Sequence, residues 1–595
     1  MSAEQEISTD SSSILLPIRR CLESFSKAVE AGDSRRSEES ISELDEYLDS
    51  NFHPAFSDPN DEEIQSNCVL AVHHIRSFLT NPSLDQAIVD ALSFELPKVV
   101  AKLAGTSQRC SDVVDSIINH FIIKCSPRDM ISVFSEALDL YGKTTDSPGY
   151  VSAILRGFST AFLSLERRQV EQIKVALPIL LNAVKAAAID VDDRDIDSEN
   201  LFEGAVCIAD SILEICKKLE VGTNGQLCGL LRLYVLEMMT VVSIVTRDNV
   251  SSHLSVVKRL SSFFTYCGLS YADLLTNHGA DPLINLKCDE TDDLMDCFGY
   301  AKHGAVLSVI WGHISDEVAQ AAGQDESILK DELRSSQSRR WLAVGMMKYI
   351  FSLSNLPCVL KKHAADFLLV ITENCDQQDM DEEMICSIFT PHVISTLQAI
   401  ISVITNAPDA ELRKTAFAAL KRVLADNPSS LRLDMMHVLI KTSTSSSMVA
   451  LLLDCIRENL REDHIKLREE KVLSCSSTFW NASILNLVEF VLLPPDGGPP
   501  SLPEQCDKVH SALNLYRYVL ITEKTGKTNY TGVLSKSNLE KAYKKWFLPL
   551  RALLIHKENT SAFQEPVINI WSGLNPLNLV LYRCIELVEE NIKQS

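Results

Sequence analysis

Residues 408–424 read PDAELRKTAFAALKRVL. Pro408 and Asp409 suit the opening of a helix, because proline tolerates the first turn and a short carboxylate caps free amides. Behind them Leu412, Arg413, Ala416, Ala419 and Leu420 recur at intervals of three and four, which places them on one face of an α-helix. The alanines keep that face low, so a second helix can approach closely. The same period runs through SDVVDSIINHFIIKC (111–125), RRQVEQIKVALPILLNAVKAAA (167–188) and SSHLSVVKRLSSFFTYC (251–267). Alternating, strand-like runs are hard to find, and the chain is predicted to be all-α.

Breaks punctuate these runs at single-helix intervals: CSPRD, DSPG, NAPD, DNPSS and PPDGGPP. Helices joined by short turns over 595 residues point to an irregular α-solenoid, in which each helix pair buries its face on its neighbours. Residues 408–424 resemble a HEAT-repeat helix. About fifty residues upstream, LPCVLKKHAADFLLVI (356–371) repeats the scheme with Pro357, Leu360, Lys361, Ala364, Phe367 and Leu368. The expected fold is therefore a HEAT/armadillo-like array. Its expected parts are a mobile tail over 1–13, a helical array over 14–320, HEAT-like repeats over 325–492, a Pro/Gly linker over 493–505 and a C-terminal module over 506–595.

Composition narrows the function. With 46% hydrophobic and 23% charged residues the chain is built to fold throughout. A net charge of -24 and a pI near 5.1 oppose a nucleic-acid partner, which requires a dominant basic surface. The 17 cysteines form no CxxC pair and no regular framework, the usage of reduced thiols in cytosol and nucleus. The N-terminus lacks the basic and apolar regions of a secretory signal. The most apolar window, GQLCGLLRLYVLEMMTVVSIVT (225–246), carries Arg232 and Glu237 near its middle, so a buried helix is expected there rather than a membrane span.

Candidate chemistry is sparse. The acidic stretches IDVDDRDIDSEN, CDETDDLMDC and ENCDQQDMDEEM read as solvated loops and helix starts, since none has the spacing or turn glycine of a calcium loop. EKTGKT (523–528) contains Gly-Lys-Thr, but a phosphate loop needs glycine at 521, where Ile521 stands, and a preceding strand. Cys288, Cys297 and His303 do not have zinc-site spacing. His73 and His74 are adjacent and cannot face one ligand from a helix; one buried and one exposed is expected. No nucleophile elbow or walled carboxylate pair appears. No catalytic residue, metal or cofactor is expected.

The segment KAYKKWFLPLRALLIHK (541–557) runs against the overall charge. SNLE (537–540) fits a capping box that starts a helix at about Ser537. On a regular helix Leu539, Ala542, Tyr543, Trp546, Leu550, Leu553 and Leu554 form one stripe, with Lys541, Lys544, Lys545 and Arg551 opposite. Pro549 is expected to kink or restart the helix near Phe547. The basic face is either a solvated surface or a docking face, with Trp546 as core or anchor.

SALNLYRYVLITEKTGKTNYTG (511–532) followed by FLPL (547–550), together with LRKTAFAALKRVL (412–424) and LIKTSTSSSMVALLLDCIRENL (439–460), is similar to the glomulin family. Asn514, Leu515, Arg517, Tyr518, Asn529, Thr531 and Gly532 carry the resemblance. It implies a HEAT-like solenoid that inhibits cullin-RING ubiquitin ligases without chemistry of its own. Its C-terminal repeats would bind the RING-box subunit where the ubiquitin-conjugating enzyme docks. Arg517, Lys541, Lys544, Lys545, Trp546 and Arg551 are the candidate contacts, and a cytoplasmic and nuclear monomer is expected. The alternative is a HEAT-type transport adaptor or assembly scaffold that holds basic cargo on an acidic concave surface.

Overall fold

The computed structural model describes residues 3–52, 62–139, 141, 147–190, 195–219, 221–247, 249–276, 296–373, 382–470, 479–494, 497–561 and 568–594. Every regular element among the described residues is helical, with lengths from 4 to 28 residues, and the fold is an irregular HEAT-like α-solenoid. The chain forms two compact units, one of residues 1–329 and 353–363 and one of residues 330–352 and 364–595.

In the first unit, Pro148–Leu163 packs along Asp195–Lys218 and Val221–Val245 along Ala301–Ile314. The second pairing requires a glycine: a Cβ on Gly304 would fall on the Leu236 carbonyl. Two helices here are long and apolar enough to cross a membrane by length and composition, Gln169–Ile189 and Gly225–Val245, and the second is 72% buried in protein. Glu237, on that helix, is fully buried. It accepts from Lys185 Nζ at 2.6 Å and from the Tyr300 amide at 3.0 Å. Burial raises its pKa, and Lys185 opposes the rise. Lys185 also donates to the Cys297 carbonyl at 2.7 Å and lies over the Tyr300 ring. A charge expensive in lipid is thus a satisfied core group.

The second unit stacks Gln337–Met346 on Glu382–Asn406, and the latter on Ala410–Ala425. As read from the sequence, Asp409 caps the last helix, accepting from the amides of Glu411 at 3.0 Å and Leu412 at 3.2 Å. Leu412, Ala416, Ala419 and Leu420 are wholly buried, as are Ala364, Phe367 and Leu368 of Cys358–Ile371; Leu360 of the same helix, which belongs to the first unit, is wholly buried too. Arg413 leaves the buried stripe and donates to the carbonyls of Ala407 at 2.6 Å and Pro408 at 3.0 Å.

A buried clasp closes the far end of this helix. Arg340, 1% exposed, grips both carboxylate oxygens of Asp426 at 2.8 Å and donates to the carbonyls of Leu333 and Arg334. Trp341 Nε1 adds a third bond to Asp426 at 3.1 Å. The arrangement meets the requirement that a buried ion pair be hydrogen-bonded on both sides.

Some boundaries differ from expectation. Helix Ala3–Glu30 takes in most of the expected tail. The Pro/Gly segment 493–505 does not separate compact units, because Cys506–Gly526 packs on both Ser446–Glu470 and Ser483–Leu492. Apolar faces on both sides of the linker complete one core, and that outweighs the local turn signals. Of the acidic stretches, residues 191–194, 289–295 and 374–381 lie outside the described residues, as does Cys288, while residues 195–200 open the helix Asp195–Lys218. No group of three or more metal-binding side chains occurs among those described. His73 is exposed; His74 is half-buried rather than buried, and burial, with Arg19, lowers its pKa.

Candidate functional site

The C-terminal face is built on Cys506–Gly526, whose Val509, Leu513, Leu515, Tyr516 and Val519 are buried. The helix ends where Lys527 takes a left-handed conformation, φ 54°, and donates its amide to carbonyls of the last turn. Gly526 therefore sits where carbonyls, not amides, point outward, the opposite of a phosphate-binding helix start.

Beyond it, fully buried Glu523 holds the returning chain. Its carboxylate accepts from the Thr531 amide at 3.0 Å and the Thr531 hydroxyl at 2.6 Å. Asn529 Oδ1 accepts from the Leu534 amide at 2.9 Å, and Gly532 turns at φ 77°. Asn529, Thr531 and Gly532, which carried much of the family resemblance, thus build a turn.

That turn delivers the chain to Ser535, the N-cap of Lys536–Lys541. The helix begins two residues before the expected Ser537, and Glu540 does not complete a capping box. Its carboxylate instead takes the Lys544 ammonium at 2.9 Å, which lowers the Glu540 pKa.

Residues Ala542–Phe547 form a π-helical turn, and α-helix resumes over Leu548–Ser561. The Leu548 amide donates back to the Tyr543 carbonyl. The restart falls where Pro549 withholds an amide, and prolines and π-turns are both places where the helical hydrogen-bond ladder is interrupted. One extra residue in a turn rotates the downstream positions by about 100°. The stripe of Ala542, Trp546, Leu550 and Leu554 nonetheless stays buried on both sides of the turn, and the four basic positions lie among the residues left partly or wholly exposed.

Each basic residue has its own setting. Lys541 pairs with Glu489 at 2.7 Å. Lys544 reaches Glu540, and Lys545 is exposed without an ion-pair partner among the described residues. Arg551 is half-buried, 5.2 Å from the ring centre of Tyr582. Arg517, also half-buried, lies near Cys584, whose thiol burial pushes up to about 12 although Arg517 opposes the rise. Trp546 is core: it is 3% exposed, edge-to-face with Tyr516 at 6.0 Å and packed beside wholly buried Phe547. It offers no surface to a partner.

Four apolar residues that the sequence pattern did not single out are exposed nearby. Leu548 and Ile555 lie exposed on one side of Leu548–Ser561, flanking Arg551, while Leu579 and Tyr582 stand exposed on Ile568–Gln594. The Arg551–Tyr582 contact joins the two stripes. Tyr543, on the π-turn before them, ties that turn to Ile568–Gln594 through its hydroxyl, donated to Glu589 at 2.9 Å, and this bond raises the phenol pKa. Leu579 and Tyr582 were detectable as apolar positions off the buried stripe of Leu577, Leu581, Cys584 and Val588. The resulting face is apolar at its centre with cations beside it, an arrangement suited to protein contact and carrying no reactive group.

A sequence profile described as "Uncharacterised protein family, YAP/Alf4/glomulin" matches residues 364–581. Aberrant root formation protein 4 of Arabidopsis thaliana is 38% identical over 610 aligned positions, covering 100% of this chain and 96% of its own. Glomulin of Homo sapiens is 26% identical over 149 positions, 25% of this chain and 24% of that protein. Among solved structures, a circular tandem repeat protein covers 98% of both chains at 10% identity with a TM-score of 0.19, a level that carries no weight for shape.

Proposed function

The chain belongs to the YAP/Alf4/glomulin family, and on that premise we propose that it is a non-enzymatic inhibitor of cullin-RING ubiquitin ligases. The exposed face of Leu548, Arg551, Ile555, Leu579 and Tyr582, with Lys544 and Lys545 beside it, docks the RING-box subunit. Bound there, the chain's bulk excludes the ubiquitin-conjugating enzyme. The observation that carries this reading is the pairing of unburied apolar side chains with cations, all but Tyr582 inside the residues the family profile matches. Such a face covers roughly 800 Å² on each partner in a contact of standard size. Occlusion needs no catalytic group. The setting is cytosol and nucleus, where its free thiols stay reduced, and the name of the Arabidopsis relative directs attention to root formation.

The test is binding of the full chain to a cullin and RING-box complex, with the conjugating enzyme added as competitor. Mutual displacement is the expected result. Tyr582→Ala combined with Lys545→Glu should weaken binding by about tenfold or more, roughly 1.4 kcal/mol. Absence of binding by the folded chain removes this reading and leaves the adaptor or scaffold role as the one to pursue.

A further inference from the structure

Helix Ala410–Ala425 buries one face and exposes the other. Along the outer face runs an open groove of about 670 Å³. Leu369, Val370 and half-exposed Phe417 provide its apolar floor, and Lys414, Lys421 and Arg422 stand over it, with a single carboxylate, Glu373, among the lining residues. Three cations to one anion is the reverse of the chain's balance of -24.

The cations are only loosely engaged. Lys421 lies 5.9 Å from the Phe417 ring centre and 3.1 Å from Glu458, both partners of that pair being about half exposed. Lys414 stands 4.0 Å from Glu411 in a pair open to water. Arg422 has no ion-pair partner among the described residues. Exposed pairs of this kind hold their partners weakly, so the groove keeps most of its positive character.

We propose that this groove docks an acidic, helix-forming segment of a partner protein. The segment sets an apolar side chain against Phe417 and its carboxylates against Lys414, Lys421 and Arg422. From Lys414 to Ala425 the helix rises about 16 Å at 1.5 Å per residue, room for about three turns of a second helix laid alongside. A nucleic acid fits less well, because a phosphate backbone leaves the apolar floor of Leu369 and Val370 unfilled and the groove is too short for the extended basic surface such a partner requires. The surface differs from the C-terminal face and does not rest on the ligase reading.

Fluorescence anisotropy on the full chain tests it, with three labelled synthetic peptides of about twelve residues, roughly three helical turns. The first carries Glu and Leu at helical spacing, the second has Ser for each Leu, and the third has Lys for each Glu. The first should bind saturably, with affinity falling as salt rises. The second should bind at least about tenfold more weakly, and the third not at all. Lys414→Glu with Arg422→Glu, and separately Ala418→Trp, which fills the groove, should each weaken the first peptide by about tenfold or more. Lys545→Glu should leave it unchanged. All these side chains are exposed, so melting curves should match the unsubstituted chain. Failure of the first peptide to saturate, equal binding of the first and second or of the first and third, or indifference to both groove variants overturns the assignment. A matching loss in Lys545→Glu places the peptide on the C-terminal face and overturns it equally.

Discussion

Two basic helical segments of the same unit, Ala410–Ala425 and Lys536–Ser561, look alike as sequence and differ as structure. The first is one uninterrupted α-helix: Leu412, Ala416, Ala419 and Leu420 go inside, and Lys414, Lys421 and Arg422 stay outside. The second changes pitch at Ala542–Phe547, and its cations take different partners. Lys541 is drawn to Glu489, Arg551 is laid over Tyr582, and Lys545 is left exposed. A helical wheel is a statement about constant residues per turn. The apolar stripe nonetheless stays buried through the turn, at Ala542, Trp546, Leu550 and Leu554, so what the wheel leaves out is the partner each cation finds.

The segments also differ in what anchors them. Ala410–Ala425 ends in the buried clasp of Arg340 on Asp426, whereas Lys536–Lys541 is tied by a half-exposed ion pair. Removing the clasp should therefore produce the largest effect. Arg340→Ala strands a buried carboxylate and is expected to cost about 3–5 kcal/mol in denaturant titration of the full chain. The matched loss of both charges, Arg340→Met with Asp426→Leu, should recover much of that cost, since no unpaired charge remains. If the single change leaves the unfolding midpoint in place, the clasp is not what distinguishes the two segments.

These contrasts explain what sequence alone could reveal. The buried face of Ala410–Ala425 was legible because periodicity is local, as was the proline restart near Phe547. Arg340 and Asp426 are 86 positions apart, and Lys541 and Glu489 are 52 apart. No pattern on either helix announces such partners. Asn529, Thr531 and Gly532 stood out as a signature, but their turn-building role depends on Glu523 being buried beneath them. The face proposed for docking was half legible: its cations were visible as a run, while its apolar centre needed Ile568–Gln594 set beside Leu548–Ser561.

An intermediate effect probes packing against exposure. Ala416→Leu adds methylenes to a wholly buried site where a neighbouring helix lies close, and is expected to destabilise by about 1–3 kcal/mol. Ala552→Leu, exposed on Leu548–Ser561, should stay within about 0.5 kcal/mol of the unsubstituted chain. Equal melting shifts from the two would mean that the first segment is no more tightly packed than the second.

The smallest effect is the most informative about the C-terminal segment. Lys541 and Lys545 are four residues apart, and on a regular helix they would be equivalent neighbours on one face. With the π-turn, Lys541 meets Glu489 while Lys545 meets solvent. Lys541→Ala should then lower stability by about 0.2–1 kcal/mol, the range of a partly exposed ion pair, and that loss should shrink as salt rises. Lys545→Ala should leave stability unchanged and, on the proposed function, slow association with the RING-box partner, because an exposed charge acts mainly on the encounter rate. Stability and binding would thus separate between two lysines less than two turns apart. Identical behaviour of the pair in both measurements would mean that the Glu489 contact does not set the two lysines apart.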